Sequence, residues 1–172
     1  MSENACISEL KTRARIGLNA LKAGDLRLAD RARAVSGRSH PPPAGWQLRH
    51  AFNLVSEAVG FLGWDHARVV LGGEAKPGDD MGTFWHAPRC SMLLNHWYAR
   101  YEDATAMQRG APSTTLLPYR RQFVVVRDEY LHELGLPEGM RGGFDAVAAY
   151  GSPDWVMWCS ARLRAPAETF GR

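Results

Sequence analysis

Apolar residues recur at every third or fourth position in four stretches of the first 72 residues, and this spacing predicts four helices. The helices are expected over residues 4–23, 26–35, 46–59 and 64–71. The inward stripe of the first helix should consist of Ile7, Leu10, Ala14, Gly17 or Leu18, and Leu21. The inward stripe of the third should consist of Leu48, Phe52, Val55 and Val59. Residues 1–73 are therefore predicted to form an all-helical module.

Polar, glycine and proline residues mark the places where these helices begin and end. Asp25 can cap the second helix, because its carboxylate can accept hydrogen bonds from the first-turn amides. The loop at residues 36–45 contains three consecutive prolines, which exclude both a helix and a central strand. Residues 74–82, with the sequence EAKPGDDMG, are rich in turn-forming residues, and we interpret them as a linker after the helical module.

The spacing of apolar residues changes after residue 82. Short strands are predicted over residues 94–99, 114–117 and 122–126, and helices over residues 101–109 and 128–134. A last helix should begin at Ser152 and Pro153, because serine caps helices well and proline fits the first helical position. Residues 83–172 are thus expected to form a smaller mixed region with a short, mainly antiparallel sheet. The predicted fold class is α+β, with the helical half packed on this region.

Two stretches resemble a short helical module that occurs in many bacterial proteins. They are LKTRARIGLNALKAGD at residues 10–25 and AVGFLGWDHARVVL at residues 58–71. In the module a helix is followed by Gly-Phe, then by a tryptophan and a short helix, as at Gly60-Phe61 and Trp64 here. The module is found at the start of some bacterial ankyrin-repeat proteins and in glyoxalase-related sequences. The resemblance implies a fold fragment in a bacterial protein and no activity, so no catalytic residue is transferred.

Positive charge is concentrated in the helical module. The whole chain has a formal net charge of +3, and residues 1–72 hold ten Lys or Arg against six Asp or Glu. The basic side chains of the first two helices are Lys11, Arg13, Arg15, Arg27, Arg31 and Arg33. Such side chains can bind nucleic acid through its phosphates, and the alternative is a solvated basic face without a partner.

The sequence also bears on where the protein is located. Its first residues, MSENACISELKTRAR, lack the apolar segment of a secretory leader. The three cysteines, Cys6, Cys90 and Cys159, are odd in number and widely spaced, which favours reduced thiols. We therefore expect a cytoplasmic protein without a membrane partner, since no apolar run approaches the ~20 residues that a spanning helix needs.

The segment TFWHAPRCSMLLNHWY, residues 83–98, contains three residues that could carry chemistry. His86, Cys90 and His96 are ligands that zinc prefers, although their spacing matches no standard zinc module. Cys90 could alternatively be a nucleophile, with Arg89 favouring its thiolate and one of the two histidines acting as a base. A small metal-binding or thiol-dependent enzyme is therefore one hypothesis, with zinc as its candidate cofactor.

A second group of residues favours binding over catalysis. Tyr119, Arg120 and Arg121 lie between two predicted strands, where paired guanidinium groups could bind a carboxylate or a phosphate. Trp85 and Trp97 flank the His/Cys segment and could line a groove for a partner. For both groups the alternatives are an exposed turn and ordinary core packing.

No nucleophile, metal or phosphate motif in the sequence is complete. The hypothesis that we favour is therefore an interaction or regulatory protein without catalytic activity or a cofactor, which binds a protein partner. The alternatives are the enzyme that uses His86, Cys90 and His96, and a nucleic-acid-binding protein that uses the basic N-terminal helices.

Overall fold

A computed structural model describes residues 4–170 of the chain, and in this part it contains seven α-helices and one three-stranded antiparallel sheet. The α+β prediction is confirmed. The helices are α1 (Ala5–Lys22), α2 (Leu26–Val35), α3 (Leu48–Ala58), α4 (Trp64–Leu71), α5 (Tyr101–Gly110), α6 (Asp128–Glu133) and α7 (Pro153–Leu163). The strands are β1 (His96–Tyr98), β2 (Thr115–Tyr119) and β3 (Gln122–Val126). Two short 3₁₀ helices lie at Pro88–Met92 and Ala167–Phe170.

The four N-terminal helices form where the apolar spacing predicts them. The predicted cap on α2 is present, because the Asp25 carboxylate accepts from the Leu28 amide at 2.9 Å. The predicted inward stripe of α3 is wrong in part, since Ala51 and Leu54 are buried while Phe52 is only half-buried. The difference arises because α1 and α2 both pack on α3. The Phe52 ring instead stacks on Trp64 of α4, with ring centroids 4.3 Å apart.

The sheet has the order β1-β3-β2, and its strand ends differ from the predicted ones. β2 extends through Tyr119, which pairs with Gln122, so that the turn between β2 and β3 consists of Arg120 and Arg121 alone. β1 is shorter than predicted and begins at His96. Just before it, the Asn95 side chain donates to the backbone carbonyls of Cys90 and Leu93, which ties Asn95 to the preceding 3₁₀ helix.

Both faces of the sheet are covered, but only one of its edges is. α5 covers one face, where Ala104 packs with Leu116 and Val125, and the main core covers the other. Residues 143–147 run along the outer edge of β2, and the amide of Leu116 donates to the carbonyl of Phe144 at 2.9 Å. β1 is the opposite edge, and within residues 4–170 no backbone group bonds to its outer side.

The main hydrophobic core joins the two halves of the chain. It combines Leu10 and Leu71 of the helical module with Trp85 and Trp155, and all four side chains are fully or almost fully buried. Gly60 is one point of close approach between the halves: its carbonyl accepts from the Thr83 amide at 2.7 Å. Its φ is +98°, and a Cβ there would lie only 2.7 Å from the Thr83 hydroxyl oxygen, so no larger residue fits. Residues 74–82 contribute to the same core through Ala75 and Met81.

One buried charge ties the C-terminal segment to α7. The Arg162 side chain is fully buried, and each of its five N–H groups meets an oxygen atom at 2.6–3.3 Å. The acceptors are the carbonyls of Phe84, His86, Leu134 and Thr169 and the Thr169 hydroxyl. The Phe170 ring lies 3.7 Å from the guanidinium carbon. Burial lowers the pKa of Arg162 to about 9, so the group is still charged at neutral pH.

None of the helices within residues 4–170 combines the length and the apolar character needed to cross a lipid bilayer.

Candidate functional site

The structure brings two of the predicted binding residues together with a predicted metal ligand. The rings of Trp97 and Tyr119 are 5.3 Å apart, and the His86 ring lies 5.1 Å from Tyr119 and 6.3 Å from Trp97. The strand register explains the contact: Trp97 pairs with Val124, and Tyr119 is two residues beyond the partner of Val124 on β2. Alternate residues of a strand share a face, so both rings project from the same side of the sheet. We call His86, Trp97 and Tyr119 the aromatic surface.

The two arginines of the hairpin turn lie beside this aromatic surface. The Arg120 guanidinium carbon is 5.7 Å from the centroid of the Tyr119 ring. The turn is held in place by two backbone hydrogen bonds, from Met81 to the Arg120 carbonyl at 2.9 Å and from Arg120 to the Gly82 carbonyl at 2.8 Å. Arg120 and Arg121 are exposed, and neither forms an ion pair with any residue from 4 to 170. The backbone of the turn is thus anchored, and its two exposed guanidinium groups have no ion-pair partner within residues 4–170.

Arg120 has an unusual backbone conformation. Its φ is +50°, and it is the one non-glycine residue in the described part of the chain with a positive φ. The left-handed region costs an L-residue roughly 1–2 kcal/mol relative to the right-handed one. Such local strain is concentrated at functional sites in proteins, so it marks the turn as a candidate for function.

Apolar side chains are exposed next to β1, and sequence reasoning missed two of them. Met92, Leu94 and Trp97 are 87%, 94% and 41% exposed. All three lie within six consecutive residues, on the segment that leads into the open strand edge. Exposed apolar residues that are grouped in this way are more often part of an interaction site than those scattered singly over a surface. The run Met92-Leu93-Leu94 is visible in the sequence, but its exposure depends on the 3₁₀ helix and on the hydrogen bonds that Asn95 makes to it.

Trp85 does not belong to the candidate surface. Its side chain is fully buried, and its ring packs against Phe84 and Trp155 at centroid distances of 5.0 and 5.9 Å. Neighbouring Trp85 and His86 point in different directions, so that one fills the core and the other reaches the aromatic surface. The expectation that Trp85 lines a partner groove is therefore replaced by a role in packing.

His86 is held by hydrogen bonds on both ring nitrogens. The Tyr130 hydroxyl donates to the Trp85 carbonyl at 3.0 Å, so it accepts from Nδ1 of His86 at 2.9 Å. Nε2 is then free to accept from the Ser91 hydroxyl at 3.2 Å. Burial, with a smaller effect from the charge of Arg162, lowers the pKa of His86 and favours this neutral ring. The contact with Tyr130 spans 44 residues, and nothing in the sequence indicated it.

The structure does not bring the three predicted zinc ligands together. Cys90 is fully buried with its sulfur 3.9 Å from the carbonyl of Tyr130, and burial raises the pKa of its thiol. His96 is exposed on β1, and strand alternation directs it to the opposite face from Trp97. Within residues 4–170 no three His, Cys, Asp or Glu side chains are arranged to hold a metal ion. The zinc site and the thiol-dependent enzyme remain predictions from the sequence.

The basic side chains of α1 and α2 are partly neutralised. Nε of Arg13 is 2.8 Å from the Glu9 carboxylate, and its Nη2 donates to the carbonyl of Leu163 at 2.6 Å. Arg33 forms an ion pair with Asp30. These contacts leave less free charge for a phosphate backbone than the sequence count suggests.

The chain was compared with protein-family models, with curated proteins and with solved structures. No family model, no curated protein and no solved structure matches it. The resemblance of residues 10–25 and 58–71 to the bacterial helical module therefore remains a prediction from those residues alone. The features of this chain that point to a function are the aromatic surface and the two arginines of the hairpin turn.

Proposed function

We propose that the protein is an interaction protein that binds an acidic, extended segment of a partner protein beside β1. The binding surface consists of Trp97, Tyr119, Arg120 and Arg121. The observation that supports this most directly is the pair of exposed arginines on an anchored turn, next to half-exposed aromatic rings and without an ion-pair partner among residues 4–170. Such a turn presents positive charge on an ordered backbone.

Charge complementarity indicates the chemistry of the partner. A guanidinium group binds a carboxylate through two parallel N–H···O bonds, which makes this pairing stronger and more specific than that of lysine. Because the turn is already ordered, little conformational entropy is lost when a carboxylate binds to it. Aspartate or glutamate side chains of a partner would supply the missing counter-charge.

The open edge of β1 and the exposed apolar residues favour a peptide over a nucleic acid. An extended peptide can pair with an unpaired strand edge and place alternate side chains on one face. Met92 and Leu94 provide apolar contact area beside that edge, which a phosphate backbone would not use. The net charge of the chain, +3, is also small for a protein whose partner is a polyanion.

Selection from a random peptide library on the immobilised full chain tests this proposal. The wild-type protein is compared with an Arg120→Ala/Arg121→Ala variant and with a control, Arg15→Ala/Arg27→Ala, which loses the same charge from α1 and α2. The wild type and the control should enrich peptides that contain Asp or Glu together with apolar residues. In the hairpin variant the Kd for a synthetic acidic peptide should rise about tenfold or more, which corresponds to a loss of about 1.4 kcal/mol of binding free energy. Circular dichroism melts confirm that both variants are folded.

Two results would overturn the proposal. One is a selected set that is neutral or basic, because such peptides would not use the two arginines. The other is an acidic peptide whose Kd is unchanged in the hairpin variant but raised in the control, which would move the binding site to the basic N-terminal helices.

A further inference from the structure

Two of the three cysteines meet where α1 crosses α7. Cys6 lies in the first turn of α1, and its sulfur is 3.2 Å from the Ser160 hydroxyl and 3.5 Å from the Val156 carbonyl, both on α7. Cys159 precedes Ser160 on the same helix, and it belongs to the same buried core cluster as Cys6. Both side chains are fully buried and reduced. Cys90 is also buried, but its sulfur contacts the carbonyl of Tyr130 instead.

We propose that Cys6 and Cys159 are a dithiol pair that hydrogen peroxide converts into a disulfide linking α1 to α7. The geometry supports this because the Cys6 sulfur contacts Val156 and Ser160, which lie on either side of Cys159 in α7, and both cysteines belong to one buried cluster. The two thiols are therefore neighbours at the crossing of α1 and α7. This proposal does not depend on the binding surface at β1.

The environments of the two thiols give them different roles. The hydrogen bond from Cys159 has the largest effect on Cys6 and lowers its pKa, with Ser160 and Arg164 acting in the same direction against burial. Complete burial raises the pKa of Cys159. The thiolate is the reactive form of cysteine, so Cys6 is the attacking sulfur and Cys159 the resolving one.

Access for peroxide is through the first turn of α1. Helix ends open locally at a much lower free-energy cost than the global unfolding of the domain, and Cys6 is the second residue of α1. A molecule as small as hydrogen peroxide needs only this local opening to reach the sulfur.

The reaction balances with peroxide as the oxidant. The Cys6 thiolate attacks one peroxide oxygen, the O–O bond breaks, and the products are Cys6 sulfenic acid and hydroxide. The sulfur of Cys159 then attacks the Cys6 sulfur, the S–O bond breaks, and the leaving oxygen takes the Cys159 proton. Hydroxide is neutralised by the proton that Cys6 released on ionisation. In sum, two thiols lose two electrons and two protons, and one peroxide becomes two waters.

Counting thiols in the full-length wild-type protein is the first test. The folded protein is treated with one equivalent of hydrogen peroxide, quenched, unfolded in guanidinium, and titrated with a thiol reagent. The count should fall from the three cysteines of the sequence to one, and dithiothreitol should restore all three. Peptide mapping without reduction should find the peptides of Cys6 and Cys159 joined, with Cys90 free.

Matched variants separate the pair from the third cysteine. Cys90→Ser should go from two thiols to none, whereas Cys6→Ser and Cys159→Ser should each keep both of their thiols. The proposal is overturned if the wild type keeps three thiols, if Cys90 is in the linked peptide, or if Cys6 stops at an irreversible sulfinic acid. The wild-type measurement is decisive even if a serine variant does not fold.

Discussion

At the scale of single residues, the conformation of Arg120 predicts that glycine substitutions at the two turn positions change the stability in opposite directions. With φ at +50°, Arg120→Gly should raise the free energy of unfolding by roughly 0.5–1 kcal/mol, because glycine adopts this region without steric cost. Arg121 does not have a positive φ, so Arg121→Gly should lower the free energy of unfolding by roughly 0.5–1 kcal/mol through the extra entropy of the unfolded chain. Urea denaturation of both variants measures the difference.

Each variant is the control for the other, since both remove one arginine from the same turn. A loss of stability in both would mean that the arginine side chains, including the contact of Arg120 with the Tyr119 ring, outweigh the backbone term. If Arg120→Gly gains stability and also loses affinity for acidic peptides, the strain at Arg120 is retained for binding.

The protonation of His86 gives a second prediction at this scale. Its pKa is lowered in the folded state from the ordinary value of 6.5, so the unfolded chain binds a proton more readily. Stability contributed by the neutral ring is therefore fully present above about pH 6.5 and is lost as the pH falls towards the lower folded pKa. The free energy of unfolding, measured by urea denaturation, should fall between about pH 7.5 and about pH 5.5, and less so in His86→Gln.

Nitrogen NMR of the imidazole ring checks both the tautomer and the pKa of His86. The ring should be neutral with its proton on Nδ1, because the Tyr130 hydroxyl already donates to the Trp85 carbonyl. A ring that is protonated on Nε2 at neutral pH would contradict this hydrogen-bond assignment, and a titration midpoint above 6.5 would contradict the lowered pKa.

Residue types alone pointed to most of the candidate surface. Tyr119, Arg120 and Trp97 were named because arginine and aromatic residues near a strand end are typical of binding surfaces. Trp85 has the same side chain as Trp97 and lies in the same segment, and only the fold determines which of the two is buried. The contacts of His86 with Tyr130 and Tyr119 join distant parts of the chain, so no local pattern could indicate them.

At the scale of elements, Arg162 connects α7 to the C-terminal 3₁₀ helix through Thr169, and to Phe84, His86 and Leu134 in the core. Arg162→Lys should lower the free energy of unfolding by roughly 2–4 kcal/mol, because lysine has three donors in place of five and leaves buried carbonyls unsatisfied. Arg164→Lys, two residues away and exposed, is the control and should change it by less than about 0.5 kcal/mol. Urea denaturation measures both variants.

If Arg162→Lys lowers the free energy of unfolding no more than the control does, then water or a shifted backbone replaces the missing donors. A second observable is the protection of the amides of residues 167–170 from hydrogen exchange. That protection should fall in the Arg162 variant, because two of the five bonds from the guanidinium end on Thr169.

The ends of elements were predictable where a capping side chain or a glycine marks them. α2 and α4 begin and end at the predicted residues, and α7 begins at Pro153 with the Ser152 hydroxyl accepting from the Trp155 amide at 3.2 Å. Strand ends were less predictable, because β1 and β2 end where pairing with β3 ends. The buried face of α3 also depends on which helices pack on it, and the periodicity of α3 alone does not contain that information.

At the scale of the whole molecule, the shared core bears on the predicted division into a helical module and an α+β region. Residues 1–73 made alone should be helical but should bind a hydrophobic dye and melt without cooperativity. The reason is that the partners of Leu10 and Leu71 in the core, such as Trp85 and Trp155, would be missing. Far- and near-ultraviolet circular dichroism of the fragment and of the full chain measures this. A cooperative melt of the fragment would instead support an independent module.

The packing of α1 against α7 also affects how the chain folds during its synthesis. Cys6 is in contact with Val156, and Arg13 is in contact with Leu163, although 150 residues separate the members of each pair in the sequence. A ribosome adds roughly 5–20 residues per second, so the side of α1 that packs on α7 stays uncovered for several seconds before α7 exists. During that interval this side of α1, which includes Cys6 and Arg13, is open to chaperones and to proteases. The final core can close only after α7 has emerged from the tunnel, which makes its completion a late event in the life of the nascent chain.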